Sequence, residues 1–269
     1  MLKFRQDLNT IKQPKIKGKK STFTTQEMNI QSQIITLNTL QIKKRIDSDS
    51  SFNIIENDET AASDTLQAIQ QKTDLIPNVY EGGLKTWECS LDLCLFLETI
   101  DFTNKKCLEL GCGSGLPGIT CLLKGALICD FQDYNENVIN YVTAPNVVLN
   151  TNANLSTFID TITITNDFKK SSFYSGDWGS LEFSDMYDVI LTSETIYSFE
   201  NYSCLLKLMK SCLKKDGIIY LAAKKIYFGC SGSLLLFKNA CADHGFRWET
   251  VCVYNAGVDR EILEIKLFT

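Results

Sequence analysis

From residue 79 onward the apolar positions follow two rhythms that alternate along the chain. Trp87, Leu91, Cys94, Leu95 and Leu97 recur at helical spacing, which predicts a helix with one buried face. "KKCLEL" (105–110) is a short apolar run, followed by a glycine-rich turn and then a helix with Pro117 in its first turn. "ALICDFQDYN" predicts a second strand ending in an acid, and residues 135–150 predict a helix interrupted near Pro145. "SFYSGDW" reads as the end of a third strand, and "MYDVILTSETIY" as a buried strand with a polar end. "YSCLLKLMKSCLKKDG" predicts an amphipathic helix closed by Gly217, "IIYLAAKK" a strand, and "SLLLFKNACADHG" a helix stopped by Gly245. "FRWETVCVY" and "REILEIKLF" are two closing strands around a turn that contains glycine. Alternating strands and helices imply an α/β sheet covered on both faces, and the closing pair makes one strand antiparallel.

Upstream the pattern weakens. Ile34, Leu37, Leu40 and Ile42 partly alternate, which predicts one or two strands packed on the main body. Residues 56–76 predict a short helix after a loop-rich stretch. The chain therefore divides into a polar tail (1–28), an extension packed on the core (29–73) and a main domain (74–269).

Composition narrows the class. The 269 residues are 44% apolar, enough for a large core, yet no run approaches the ~18 apolar residues of a membrane span. The first twenty residues lack the apolar block of a secretory signal, so an intracellular, soluble protein is expected. Eleven cysteines contain no CxxC pair, and in such a chain they are not expected to form a disulfide framework. With one histidine, His244, a histidine-rich zinc site is excluded; no metal is expected, and His244 reads as a helix-end residue. Residues 1–20 carry seven Lys or Arg against Asp7, a charge of +6 that leaves −11 on the remainder of a −5 chain. The composition favours a solvated tail, with RNA contact or a nuclear address as its functional readings.

"LELGCGSGLPG" is the first stretch with chemistry. Gly111, Gly113 and Gly115 follow a strand, so the chain can turn tightly and bring backbone N–H groups to a ligand. With Glu109 they form E-x-G-x-G-x-G, a pattern that in methyltransferases runs beneath S-adenosylmethionine. Gly113, Gly115 and Gly118 equally fit the dinucleotide fingerprint. Asp133, at the next strand end, suits a carboxylate that accepts both ribose hydroxyls of either cofactor. Asp130 reads as a strand acid facing solvent. Gly176, Asp177 and Trp178 stand where an adenine would lie: a carboxylate can accept its amine and an indole can wall the ring. Ser193, Glu194 and Thr195 end the strand beside the glycine loop, where α/β ligands bind; the competing reading is a helix cap.

In order, "VYEGGLKTWECSLDL", "LELGCGSGLPGI", "FQDYN", "PNVVLN", "FYSGDW", "YDVILTSETIY" and "KKIYFGCSG" resemble the eukaryotic protein-histidine methyltransferases of the seven-β-strand class, from about residue 74 to the end. The resemblance implies a Rossmann-like class I methyltransferase sheet with a terminal antiparallel strand, and S-adenosylmethionine as cofactor. It implies transfer to the tele nitrogen of a histidine in large-subunit ribosomal protein 3, in cytoplasm and nucleus. Carried over residue by residue, cofactor contacts fall to Lys85, Thr86, Trp87, Glu88, Cys89, Gly111, Gly113, Gln132, Asp133, Tyr134, Gly176, Asp177, Trp178 and Ser193. Cys89 reads as a small buried neighbour rather than a nucleophile. Wider relatives methylate lysine and carry D-x-x-Y; here the string is E-x-x-Y, so Glu194 and Tyr197 are the expected catalytic pair. A lysine methyltransferase of the same fold, or a non-catalytic module that binds ribosomal protein or RNA, remains as the alternative.

Overall fold

The structure, a computed structural model, describes residues 5–7, 32–45, 70–71, 73–151 and 171–268. Strands β4 (Lys106–Leu110), β5 (Ile128–Asp133), β6 (Ser172–Ser175), β7 (Tyr187–Ser193) and β8 (Leu213–Lys224) lie parallel in the order β6-β5-β4-β7-β8. β10 (Arg260–Leu267) pairs antiparallel between β8 and β9 (Phe246–Tyr254). This is the seven-strand arrangement with a reversed last strand that the resemblance implies. β4 and β5 are buried almost end to end, as parallel strands covered on both faces must be.

Side chains leave successive strand positions on opposite faces, and the two cores divide accordingly. Cys107, Leu191 and Ala222 face helices α1 (Glu88–Leu97) and α2 (Leu116–Leu123), joined by Leu37 and Ile42. Leu108, Ile190 and Leu221 face α5 (Tyr202–Cys212) and α6 (Leu234–Asp243). The expected strands upstream form a hairpin, β2 (Ser32–Thr36) and β3 (Gln41–Arg45). Its turn is fastened to the end of α1, where the Glu98 carboxylate accepts the N–H groups of Asn38, Thr39 and Leu40 at 2.7–2.9 Å.

After β5 the chain runs through α3 (Glu136–Val138), a π-helical turn (Ile139–Thr143) and α4 (Ala144–Asn150). The widened turn stands just ahead of Pro145, which has no N–H to donate. It has a use: Thr143 donates to Gly113 O at 2.6 Å, and Asn146 donates to Ser114 O at 2.9 Å, so this segment grips the glycine loop.

Three sequence expectations are corrected. The helix expected to reach Gly217 ends at Cys212, because buried Leu213 turns extended and pairs with Tyr187, starting β8 four residues before the glycine. Asp130 does not face solvent; it is buried, accepting Ser172 N–H and the Tyr187 hydroxyl at 2.7 Å. Within the expected solvated tail, β1 (Arg5–Asp7) pairs antiparallel with β6 at the sheet edge. The remainder of residues 1–28, and most of the helix expected within 56–76, lie outside the described residues.

Candidate active site

The sheet's strand order reverses at β4, whose neighbours are β5 and β7, and a ligand cleft belongs at the carboxyl ends of strands there. A cleft lined by residues from the ends of β4, β5 and β7 opens at that point.

One wall is the glycine loop. Gly111 and Gly113 both hold left-handed φ values, 61° and 48°. A Cβ on Gly111 would stand 2.4 Å from Thr195 Cγ2, so the loop and the end of β7 touch only because the side chain is missing. Beneath the loop lies Glu109, fully buried, accepting Gly118 N–H at 2.8 Å. Burial pushes its carboxyl up to about 8, against the pull of that N–H, and Asp133 adds to the rise. It therefore carries its proton at neutral pH.

The end of β5 supplies Asp133. Its Oδ2 accepts Gly113 N–H at 2.9 Å and its Oδ1 accepts Asn135 N–H at 3.1 Å. Burial raises it to about 6, with those two N–H groups opposing and Glu81 reinforcing. Each oxygen keeps a lone pair for a ligand hydroxyl. Gln132, immediately before it, is fully buried and outside the cleft lining. Its Oε1 accepts Gly111 N–H at 3.2 Å and the Trp178 indole N–H at 2.8 Å, while its Nε2 donates to Gly176 O at 2.9 Å. It thus holds three cleft-lining residues in register.

The roof is the segment from residue 73 to α1. Asn135 Nδ2 donates to Val79 O at 2.8 Å, Glu81 N–H to Asn135 Oδ1 at 3.0 Å, and the Tyr134 hydroxyl to Asn78 O at 2.9 Å. Gly82, at φ 81°, receives the Trp87 indole N–H at 3.1 Å on its carbonyl. Trp87 is the extended residue from which α1 starts. Helical periodicity then sorts the neighbours: Thr86, Trp87 and Ser90 face the cleft, whereas Cys89 is fully buried against the core and Glu88 points outward to Lys224 at 3.1 Å. Glu88 and Cys89, expected as cofactor contacts, thus stand outside the cleft lining. Burial, and then the Glu194 charge, pushes the Cys89 thiol far up, which suits the inert neighbour the sequence suggested.

The far end belongs to β7. Ser193 closes the strand, and Glu194 follows at φ 58°, a left-handed conformation that is costly for a non-glycine residue. Glu194 is 8% exposed, and its Oε1 stands 3.3 Å from Lys224 Nζ, an ion pair that is not aligned as a hydrogen bond. The hydroxyl of Tyr197 donates to Glu81, tying roof to floor. Burial, then the Glu81 charge, pushes that phenol well up.

All the predicted site residues except Glu88, Cys89 and Gln132 line this one cleft, including Lys85, Tyr134, Gly176, Asp177 and Trp178. Sequence reasoning did not single out Asn78, Glu81, Ser90, Asn201 and Cys204, which also line it, nor Lys224 behind Glu194. Ser90 had a signal, one helical turn after Thr86; Lys224 and Glu81 had none, being far in sequence from their partners.

S-adenosylmethionine fits the cleft. Thr86 Oγ1 and Ser90 Oγ are buried in its wall with no hydrogen-bond partner among the described residues, as a ligand's polar end requires. Asp133 has lone pairs for hydroxyls, and a Cβ on Gly176 would meet nothing within 4 Å, so that wall is open to a flat ring.

A family model described as lysine methyltransferase matches residues 69–229. The chain is 44% identical over 177 residues to a histidine protein methyltransferase 1 homolog of Dictyostelium discoideum, covering 64% of this chain and 52% of that protein. It is 38% identical over 218 residues to the homolog of Rattus norvegicus, covering 74% and 60%. The chain thus spans between half and three fifths of the length of these curated relatives. Among solved structures it shares a fold with the YcgJ protein from Bacillus subtilis, at a TM-score of 0.51 and 12% identity, over 66% of this chain and 98% of that one.

Proposed function

The chain belongs to the lysine methyltransferase family, and we propose that it transfers the methyl group of S-adenosylmethionine to a histidine side chain of a protein. One observation carries the reading: a single cleft joins the glycine loop, Asp133 and Trp178 at one end to Glu194 and Tyr197 at the other. The acceptor class is supported by the names of the relatives at 34–44% identity. A polypeptide acceptor is supported by exposed apolar side chains in the segments that follow β7 and β8, where Phe199, Ile226 and Phe228 are 52%, 55% and 80% exposed.

When bound, the cofactor supplies a methyl group already activated on a sulfonium sulfur. The residues of this chain hold and align. Asp133 accepts the ribose hydroxyls, Trp178 walls the adenine, and Thr86 and Ser90 take the amino-acid end. The acceptor's ring nitrogen needs no base, because imidazole is neutral above a pKa of ~6.5. The new bond is N–CH3 and the broken bond is CH3–S. The ring gains positive charge and then loses the proton on its other nitrogen. Glu194 lies where it can face that N–H and offset the developing charge.

In the finer reading the acceptor nitrogen is the tele one, the substrate is large-subunit ribosomal protein 3, and the protein works in cytoplasm and nucleus. The basic arm at residues 1–20 supports an additional contact with RNA. Tandem mass spectrometry of ribosomal protein 3 after reaction tests the function: methyl on histidine is expected, and methyl on lysine with every histidine unmodified would overturn it. Neutralising Lys12, Lys15, Lys17, Lys19 and Lys20, which leaves β1 intact, should weaken RNA binding in a gel-shift assay while leaving turnover of a short peptide unchanged.

A further inference from the structure

Glu194 is the carboxylate on the acceptor side of the cleft, and the protein spends it on one of its own lysines. Lys224, the last residue of β8, places Nζ 3.3 Å from Glu194 Oε1 and 3.1 Å from Glu88 Oε2. The position is set by the sheet: Glu194 N–H donates to Ala222 O at 3.0 Å, so the end of β7 is pinned beside the end of β8. The lysine side chain is 17% exposed, and that of Glu194 6%. Lys224 also stands 5.2 Å from the centre of the Trp87 ring, and Lys85 stands 4.5 Å from the same ring on the cleft wall. Two ammonium groups thus flank the tryptophan of the roof.

An incoming lysine is an ammonium ion at neutral pH. It would be drawn into the cleft by an unpaired carboxylate and would have to shed its proton before attack. An imidazole arrives neutral. A carboxylate that already has a cation at 3.3 Å keeps hydrogen-bond capacity for a ring N–H yet attracts an ammonium far less, and Lys224, whose second partner Glu88 is solvent-exposed, repels one; Lys85 is paired with Asp74 at 2.8 Å and adds little. Burial pulls the Lys224 ammonium toward neutrality, but Glu194 and Glu88 overcome this and hold it above its ordinary value, so the cation persists.

We propose that Lys224 is a specificity-determining positioning residue: by occupying Glu194 it excludes lysine side chains from the acceptor site and reserves the site for a neutral imidazole. The proposal rests on the histidine reading above, and deepens it.

The test uses the full chain with ribosomal protein 3 and a version of it in which the target histidine is replaced by lysine. Wild-type protein should methylate the first and leave the second essentially unmodified. Lys224→Met should raise the lysine-to-histidine turnover ratio at least tenfold, Lys224→Arg should keep the wild-type ratio, and adding Glu194→Gln to Lys224→Met should abolish the gain. S-adenosylmethionine affinity by calorimetry, within about threefold of wild type, checks that each variant is folded; if Lys224→Met fails this check, Lys224→Gln takes its place. Wild-type histidine methylation with an unchanged ratio in the folded variant would overturn the role of Lys224 alone. Lysine methylation by the wild-type protein without histidine methylation would sink the functional reading and this proposal together.

Discussion

The two halves of the cleft bury their carboxylates in opposite ways. On the β4–β5 side, Glu109 and Asp133 are buried with backbone N–H groups as partners and no ion-paired cation among the described residues, and burial lifts them to about 8 and about 6. On the β7–β8 side, Glu194 is buried against Lys224. Of the two, Asp133 lines the cleft, and an acid held there by N–H groups alone keeps lone pairs and an unspent charge, which is what a ligand with hydroxyl donors needs. An acid held by a lysine has its charge cancelled, which suits an acceptor that must not be chosen for its charge. The cofactor end is built to attract, and the acceptor end to discriminate.

The comparison is most exposed at Asp133. Asp133→Ala removes the two charge-assisted hydrogen bonds proposed to the ribose and leaves the N–H groups of Gly113 and Asn135 without acceptors. The loss should be roughly 2 to 4 kcal/mol, or about one to three decades in S-adenosylmethionine affinity by calorimetry. The sign of the pH effect follows from the raised value. Hydroxyl donors favour the ionised carboxylate, so affinity should hold at pH 7–8 and fall as pH drops through about 6. Unchanged affinity in the folded variant would remove Asp133 from the cofactor site.

Glu194→Gln should act on the other half. Turnover should fall by about one to two decades, the worth of roughly 1.5 to 3 kcal/mol for a hydrogen bond to a charged group. Cofactor affinity should stay within about threefold, because no cofactor contact is assigned to this residue. Equal losses in affinity and turnover would mean that the two ends do not separate as argued.

Glu109 sharpens the contrast within the cofactor half. Its value in the folded protein lies above its ordinary one, so the native state binds the extra proton between about pH 4.5 and 8. Stability from this group is therefore greatest at low pH and is lost as pH rises through that window. Glu109→Gln cannot ionise and should escape the loss. Unfolding free energies from denaturant should agree near pH 5 and favour the variant by about 3 to 5 kcal/mol at pH 9. A wild-type advantage at pH 9 would show that Glu109 is a stabilising anion after all.

The same division explains what the sequence made legible. The cofactor half is written in local strings. A strand, three glycines at alternate positions, and an acid at the end of the next strand each act within a few residues, and their backbone consequences follow from geometry. The acceptor half depends on pairs that the chain brings together only by folding: Glu194 with Lys224, and Tyr197 with Glu81, 116 residues apart. No periodicity carries such pairs. The absence of Glu88, Cys89 and Gln132 from the cleft lining has a related cause. Each neighbours a cleft residue in sequence but is turned elsewhere by a helical or strand step. The helix expected to run to Gly217 failed because burial of Leu213 in the sheet overrode a good helical pattern.

The smallest effect belongs to His244. The proposed transfer to histidine invites the idea that the protein's own histidine shares in proton transfer, and this chain has just one. The geometry argues against it. His244 caps the end of α6; its Nδ1 lies 2.9 Å from Ala240 O and its Nε2 lies 3.2 Å from Ser203 Oγ. Those contacts join the end of α6 to α5 on one face of the sheet, and His244 does not line the cleft. His244→Gln should therefore cost at most about 1 kcal/mol of stability, the worth of one or two partly exposed hydrogen bonds. The rate should rise through pH values near 6.5 and level off by about pH 8 in both proteins, because the titrating imidazole is the substrate's. Superimposable profiles, measured with cofactor saturating and chemistry limiting, are the expected result. A variant whose profile loses its rise near 6.5 would transfer that titration from the substrate to the enzyme, and with it the general-base role that the proposed mechanism leaves empty.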